Sequence, residues 1–302
     1  MAKPVITRGE AETLLAALMP GATGLEPLAE GDDSRAFAFR RHGEAFVLRL
    51  NRDGAGFDKD AFVQRRFAGP ALPIPEILRV ERRADGLALC LSRRAPGTTL
   101  QELDDAGLAL TVAPTAAVLE AIGAADLAGT GGYGRFDATG RGAQASWQSF
   151  LREPLGWGGL PAGDGTIGRI LDRLAALAGR CPEERRLVHG DFGSNNVLAE
   201  GGRITGVIDW SEALFGDPLY DVANILFWRP WLACMERQAA FLEAHRRWSP
   251  EVRDRLLCYQ LRIGIDEIRQ GASAGAAEDL AWAMRRCAAI LGETDAPSRP
   301  RG

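Results

Sequence analysis

This chain of 302 residues is poor in several features, and each scarcity argues against a class of protein. The five cysteines are an odd number, lie far apart and form no C-x-x-C pair, which argues against a disulfide framework or a zinc site. No run approaches the ~20 apolar residues of a membrane helix, and the charged N-terminus lacks the apolar core of a signal peptide. The net charge is only -4, whereas a nucleic-acid-binding domain usually carries a basic field. We therefore expect a cytoplasmic protein with reduced, mostly buried thiols and no nucleic-acid or membrane partner.

The chain is rich enough in apolar residues, at 46%, for a globular fold, and its length permits two lobes. Up to residue 94, short apolar runs with period-2 alternation are separated by turn signals, which is typical of antiparallel strands. Strands are predicted at residues 25–29, 34–40, 45–50, 77–81 and 87–92, and helices at 9–19 and 58–67. We take residues 1–94 as an N-terminal lobe that binds nucleotide.

From residue 95 the pattern changes to helical periodicity. Helices are predicted at residues 100–127, 147–155 and 167–177 and over most of 220–291, with short strands at 196–199 and 204–208. The Gly-rich stretch 129–142 is predicted to lack regular structure. The fold class is therefore α+β: a two-lobed, protein-kinase-like arrangement with a small antiparallel-sheet lobe and a larger, mostly helical lobe at 95–302.

One polar motif points to chemistry. Asp191 and Asn196 lie in the string HGDFGSNNVL, and Asp209 follows in VIDW. Phosphoryl transfer needs a carboxylate that orients the acceptor hydroxyl and takes its proton, together with metal ions that neutralise the phosphates. Asp191 is the candidate catalytic carboxylate, and Asn196 and Asp209 are oxygen ligands suited to Mg²⁺. A histidine beside such a loop, His189, is more often a hydrogen-bonding support than a base.

These strings resemble the Brenner-type motif of aminoglycoside phosphotransferases, a branch of the protein-kinase-like superfamily. SRRAPGTTLQ, FWRPWLACME, ALPIPE and GFDKD extend the resemblance over nearly the whole chain, whereas residues 151–165 depart from it. The resemblance implies ATP and Mg²⁺ as cofactors and a cationic aminoglycoside as the substrate, phosphorylated on a hydroxyl. It also implies antibiotic resistance.

The nucleotide contacts are predicted by position in this fold. Residues 30–37, with the Ser34 side chain, lie where a loop covers the phosphates. Arg49 takes the place of the strand lysine that pairs with phosphates in protein kinases, and Asp60, or less favourably Asp58, is its partner. Residues 90–94 are predicted to be the hinge at adenine. The predicted nucleotide-binding set is Ser34, Arg35, Arg49, Asp60, Cys90 and Arg93.

A polycationic acceptor needs carboxylates and flat faces for its sugar rings. Trp228 and Trp231 are candidate platforms, although a buried core role is an open alternative, and Asn195 either contacts substrate or caps a turn. Asp221 is expected to brace the catalytic loop. The predicted acceptor-binding set is Asp126, Asn195, Glu212, Trp228, Trp231, Asp266 and Glu267.

Two other functions stay open at this point. The same trio would serve a kinase of another hydroxylated metabolite, such as an amino alcohol or a ketosamine. A non-catalytic nucleotide-binding regulator is favoured only by the arginine at position 49, and the intact trio argues against it. The chain is expected to be a monomer.

Overall fold

The alternating apolar residues of the N-terminal lobe form an antiparallel sheet of five strands in the order β1-β2-β3-β5-β4. The structure, a computed structural model, describes residues 4–28, 34–161 and 165–292. Along β3 the side chains of Phe46, Leu48 and Leu50 are buried in turn, as period-2 geometry requires. The elements are α1 (Arg8–Leu18), β1 (Thr23–Pro27), β2 (Arg35–Arg41), β3 (Glu44–Asn51), α2 (Ala55–Phe67), β4 (Ile77–Arg82) and β5 (Ala88–Arg93).

Within its described residues, 95–161 and 165–292, the larger lobe consists of helices around two small sheets, ordered β11-β10-β6 and β8-β7-β12-β9. A single large cluster of buried apolar residues joins these elements. Its elements are β6 (Thr98–Thr99), α3 (Asp105–Gly123), β7 (Tyr133–Phe136), β8 (Gly142–Gln144), α4 (Trp147–Arg152), α5 (Thr166–Ala178), β9 (Arg186–Val188), β10 (Val197–Glu200), β11 (Arg203–Val207), β12 (Leu214–Gly216), α6 (Leu219–Trp228), α7 (Ala233–His245), α8 (Pro250–Ala274) and α9 (Ala277–Ile290).

The prediction that residues 129–142 lack regular structure is wrong. Strand β7 lies inside this stretch because its backbone pairs with β12, far along the chain, with Arg135 opposite Leu214. The predicted helix 100–127 is also too long. A 3-10 turn occupies its start, and α3 begins only after Asp104, whose side chain accepts a hydrogen bond from the Gly107 N–H.

Helix α3 is long and apolar enough, by length and composition, to cross a membrane, with a mean hydropathy of 1.5. Sequence inspection underestimated this run. In the structure the helix packs against α7, β9 and β11, and Leu108, Leu119 and Ile122 contribute to the main core. These contacts are those of a core helix in the larger lobe.

All five cysteines are free, and the prediction that most of them are buried is confirmed. Each contributes a small apolar side chain to a packed interior. Cys90 lies in the N-terminal sheet, and the others lie in the core of the larger lobe.

Candidate active site

The loop between β9 and β10 carries Asp191, and two buried side chains support it from beneath. The carboxylate of Asp221 accepts hydrogen bonds from the backbone N–H groups of His189 and Gly190, both at 2.8 Å. The Nδ1 atom of His189 faces the Asp191 N–H at 3.3 Å, and Nε2 lies 3.0 Å from the Ile208 carbonyl oxygen. Burial lowers the pKa of His189 to about 4, so the ring is neutral and donates from Nε2. The supporting contacts predicted for His189 and Asp221 are confirmed.

Gly190 lets the loop lie directly beneath the segment that follows Asp209. Its φ is 85°, and a Cβ atom at this position would come within 2.3 Å of the Glu212 carbonyl oxygen. Any side chain would therefore push the two segments apart. This close approach brings the loop of Asp191 against the chain that carries Asp209.

Asp191 and Asn196 are held together. The side-chain nitrogen of Asn196 donates to Oδ2 of Asp191 at 2.8 Å and to the Asp191 carbonyl at 2.9 Å. Solvent reaches the Asp191 carboxylate, but protein surrounds it closely enough for desolvation to raise its pKa to about 7, and the charge of Asp209 adds to this rise. A carboxylate poised near neutrality is suited to take a proton from a hydroxyl.

Asp209 follows β11 in a left-handed backbone conformation, with φ 59°. Its Oδ1 accepts a hydrogen bond from the Ser211 hydroxyl at 2.8 Å. Because the nitrogen of Asn196 is committed to Asp191, the amide oxygen of Asn196 is the atom available to a cation. In the part of the chain that the structure describes, no group of three or more His, Cys, Asp or Glu side chains could hold a metal ion. The donor set fits Mg²⁺, which is usually bound by one or two carboxylates together with substrate phosphates.

The predicted ion pair between β3 and α2 is confirmed. Arg49 donates to Oδ2 of Asp60 at 2.5 Å, while Asp58 pairs with Arg82 instead. Burial alone would lower the pKa of Arg49, but Asp60 and its other anionic neighbours raise it above its ordinary value. The second oxygen of Asp60 accepts a hydrogen bond from the backbone N–H of Trp210 at 2.7 Å. One carboxylate therefore connects the N-terminal sheet to the residue after Asp209.

Lys59, the neighbour of Asp60, is a site residue that the sequence analysis did not single out. Its Nζ donates to the backbone carbonyls of Ser211 and Ala213 at 2.8 and 2.5 Å and lies 4.6 Å from the centre of the Phe136 ring. The side chain is buried, and burial lowers its pKa to about 8. Its place in the string GFDKD, beside Asp60, was the signal that could have found it.

The other residues predicted to bind nucleotide are Ser34, Arg35, Cys90 and Arg93. Arg35 begins β2 and Ser34 directly precedes it, whereas residues 29–33 fall outside the described residues. The Cys90 thiol is buried 3.6 Å from Arg49, and the Arg93 guanidinium pairs with Glu44 and Glu76 at the surface. Contact of Cys90 or Arg93 with adenine would have to involve the backbone, and the hinge stays a prediction.

The predicted acceptor-binding carboxylates Glu212, Asp266 and Glu267 influence one another electrostatically, and the Glu212 backbone lies against the loop that carries Asp191. Burial raises the pKa of Glu267 to about 8, and the nearby charges of Asp191, Asp266 and Glu212 add to the rise. Two arginines that the sequence analysis missed lie among these carboxylates. Arg135 contacts Glu212 at 2.7 Å and Asp266 at 3.3 Å, and Arg262 is paired with Asp266 from the interior.

Trp228 and Trp231 pack against the core of the larger lobe and against a third indole, and their role as acceptor platforms stays a prediction. Trp228 stacks on Trp282 at 5.0 Å between ring centres, and Trp231 meets the same ring edge-on at 4.3 Å, yet both stay partly exposed. Asn195 is exposed and accepts a hydrogen bond from Ser194. Asp126 contacts Arg66 of α2 at 3.3 Å, and its acceptor role stays a prediction.

The chain is similar to known proteins over most of its length. The sequence model of the phosphotransferase enzyme family (APH) matches residues 24–257. The chain is 46% identical over 300 residues to hygromycin-B 4-O-kinase of Escherichia coli, covering 96% of this chain and 87% of that protein. A shorter match, 42% identical over 66 residues, links it to viomycin phosphotransferase of Streptomyces vinaceus, covering 20% of this chain and 23% of that protein.

Solved structures show the same relationship. The crystal structure of aminoglycoside phosphotransferase APH(4)-Ia superimposes with a TM-score of 0.90 at 44% identity, covering 95% of this chain and 99% of that one. A thermostable mutant of the same enzyme, solved as a ternary complex with AMP-PNP and hygromycin B, gives a TM-score of 0.89 at 44% identity, over 95% and 99% of the two chains. The predicted kinase-like α+β fold is confirmed.

Proposed function

This chain belongs to the phosphotransferase enzyme family, and from that premise we propose that it transfers the γ-phosphoryl group of ATP to a hydroxyl of hygromycin B. The observation that carries the proposal is the meeting of Asp191, Asn196 and Asp209 in one supported loop pair. The identity of 46% with hygromycin-B 4-O-kinase supports the choice of acceptor, and by the same likeness the 4-hydroxyl.

In the proposed reaction, Asp191 accepts a hydrogen bond from the acceptor hydroxyl and takes its proton as the oxygen attacks. The new bond joins that oxygen to the γ-phosphorus. The bond from the γ-phosphorus to the bridging oxygen breaks, and ADP leaves with the electron pair. Asn196 and Asp209 would hold Mg²⁺, which neutralises phosphate charge when bound.

The remaining side chains would supply positioning. Arg49, oriented by its ion pair with Asp60, would contact the α- and β-phosphates from the sheet. Glu212, Asp266 and Glu267 give the acceptor side a set of acidic groups suited to ammonium groups. The two partly exposed indoles of Trp228 and Trp231 offer faces for sugar rings.

The test combines an acceptor panel with two substitutions. Wild-type protein should release ADP with hygromycin B and not with choline or a ketosamine, and NMR of the product should find phosphate on the 4-hydroxyl. Asp191→Ala should abolish transfer while ATP still binds, whereas Asp209→Ala should weaken MgATP binding itself. The exposed Asp172 provides the control variant Asp172→Ala, which should match the wild type.

Several outcomes would contradict the proposal. Turnover of choline or a ketosamine without hygromycin B would assign the chain to another class of small-molecule kinase. ATP binding with no transfer to any acceptor would favour a regulator. Retained turnover in Asp191→Ala would remove that residue from the proton-accepting role.

The cellular setting is part of the proposal. We place the protein in the cytoplasm, where ATP is available and the five free cysteines stay reduced. There it would protect a bacterium from the antibiotic as a monomer. Growth on hygromycin B with and without the gene, and light scattering of the purified protein, test these two points.

A further inference from the structure

Arg135 occupies the region that a cationic acceptor is expected to enter. It lies on β7, and its guanidinium contacts Glu212 through Nε at 2.7 Å and Asp266 through a terminal nitrogen at 3.3 Å. Both carboxylates belong to the predicted acceptor-binding set. The proposed function assigns no role to this arginine.

The two carboxylates are part of an alternating chain of charges. Asp266 also pairs with Arg262, and Arg262 reaches Glu153 at 3.1 Å with another nitrogen. The order Glu212, Arg135, Asp266, Arg262, Glu153 places two cations among three anions. Most of the negative charge that would attract an ammonium group is therefore balanced from within the protein.

The two arginines differ in exposure. The Arg262 side chain is fully buried and also donates to the Phe150 carbonyl, so it belongs to the core. The Arg135 side chain is 36% exposed, and its partner Glu212 is 48% exposed. The Glu212 backbone lies directly against Gly190 of the loop that carries Asp191, where a Cβ atom on Gly190 would come within 2.3 Å of the Glu212 carbonyl oxygen, so this pair lies on the catalytic side of the lobe. Of these two arginines, Arg135 is therefore the one that an incoming acceptor can contact.

We propose that Arg135 determines the charge selectivity of the acceptor site by occupying Glu212 and Asp266 as a resident cation. The inference rests on the proposed function. An acceptor ammonium group must share these carboxylates with the guanidinium, and the two positive charges repel each other. The site therefore disfavours acceptors with many ammonium groups. Because Arg135 holds the two carboxylates in fixed positions, they orient the bound acceptor, but the affinity for that acceptor is lower.

The test is the steady-state KM for hygromycin B and for a more highly charged aminoglycoside, in low and high salt, with isothermal titration of each acceptor as a second readout. Arg135→Gln removes the charge and keeps a hydrogen-bond donor. It should lower the acceptor KM about tenfold, the size of one charge–charge contact at a partly exposed site, and more for the more highly charged acceptor. The effect should shrink in high salt, and the KM for MgATP serves as the internal reference.

Arg135→Lys is the matched variant, because it keeps the charge but loses the two-sided geometry of the guanidinium. Its acceptor KM should stay within about twofold of the wild type. Arg135→Met, a second neutral variant of similar length, should repeat the result of Arg135→Gln if the glutamine variant melts early.

Two results would overturn the inference while leaving the proposed function intact. One is an acceptor KM that is unchanged or higher in both neutral variants, which would make Arg135 a structural tie between the two carboxylates. The other is an equal fall in the neutral and lysine variants, which would make geometry rather than charge the cause. A wild-type protein that phosphorylates no aminoglycoside would overturn both proposals.

Discussion

Replacing Lys59 with methionine tests whether this side chain positions the segment that begins at Asp209 for catalysis or mainly stabilises the folded protein. Methionine keeps the length and apolar stem of the side chain but removes the ammonium group that donates to the carbonyls of Ser211 and Ala213. These contacts hold the segment that begins at Asp209 against α2. We expect catalysis to suffer much more than folding.

The opposing terms explain why stability should change little. Each carbonyl left without a donor costs about 1–3 kcal/mol. The pKa of Lys59 is lowered from 10.5 to about 8, so keeping this buried lysine charged costs about 3 kcal/mol, at 1.36 kcal/mol for each pH unit. Methionine carries no charge, so the folded state of the variant does not bear this cost. The net destabilisation is therefore between roughly zero and 3 kcal/mol, a fall of a few degrees in melting temperature.

The effect on activity has no such compensation. A displacement of about 1 Å at a reacting centre costs about 100-fold in rate, and Asp209 is two residues from the first carbonyl that Lys59 holds. We expect kcat/KM for MgATP to fall about 100-fold in Lys59→Met, with a parallel loss in MgATP affinity by titration calorimetry. The control is Arg65→Met, an exposed cation on the same helix, which should behave as the wild type. A kcat/KM within about twofold of the wild type, or a loss that appears only where the variant unfolds, would refute the reasoning.

Two further predictions concern the support beneath the catalytic loop. His189 is buried and neutral with a pKa of about 4 against 6.5 unfolded, so the unfolded state binds the proton first as pH falls. Relative to His189→Gln, the wild type should lose about 3 kcal/mol of unfolding free energy between pH 6.5 and 4, measured by urea denaturation; a constant difference across this window would contradict the assignment. Asp221→Ala should leave the N–H groups of His189 and Gly190 without an acceptor, at about 1–3 kcal/mol each, but it also removes a buried carboxylate whose pKa is raised to about 7, which offsets about 4 kcal/mol. The net change in unfolding free energy should therefore stay within about 2 kcal/mol, and a larger loss by the same method would contradict this balance.

The features that could be predicted from the sequence involve residues that lie close together along the chain. Asp191 and Asn196 are five residues apart in one loop, and their contact follows from that loop. Arg49 and Asp60 are separated by a single strand-to-helix connection, so the pair could be predicted from neighbouring elements. The alternation of apolar residues in β3 likewise predicted a strand with one buried face.

The features that were missed depend on contacts between distant parts of the chain. Arg135 lies 77 and 131 residues along the chain from the two carboxylates that it contacts. The glycine-rich sequence around it contains no pattern that indicates a functional arginine. Strand β7 exists because β12 pairs with it, and neither has strong propensity by itself. The partners of Lys59 are backbone carbonyls about 150 residues away, so its neighbour Asp60 was the sequence signal that could have pointed to it.

Asp60 uses its two oxygens on two different lobes, one for Arg49 and one for the backbone N–H of Trp210. A substitution that improves the geometry toward the arginine must also preserve a contact with the chain next to Asp209. Any substitution at position 60 therefore disturbs a contact in each lobe at once.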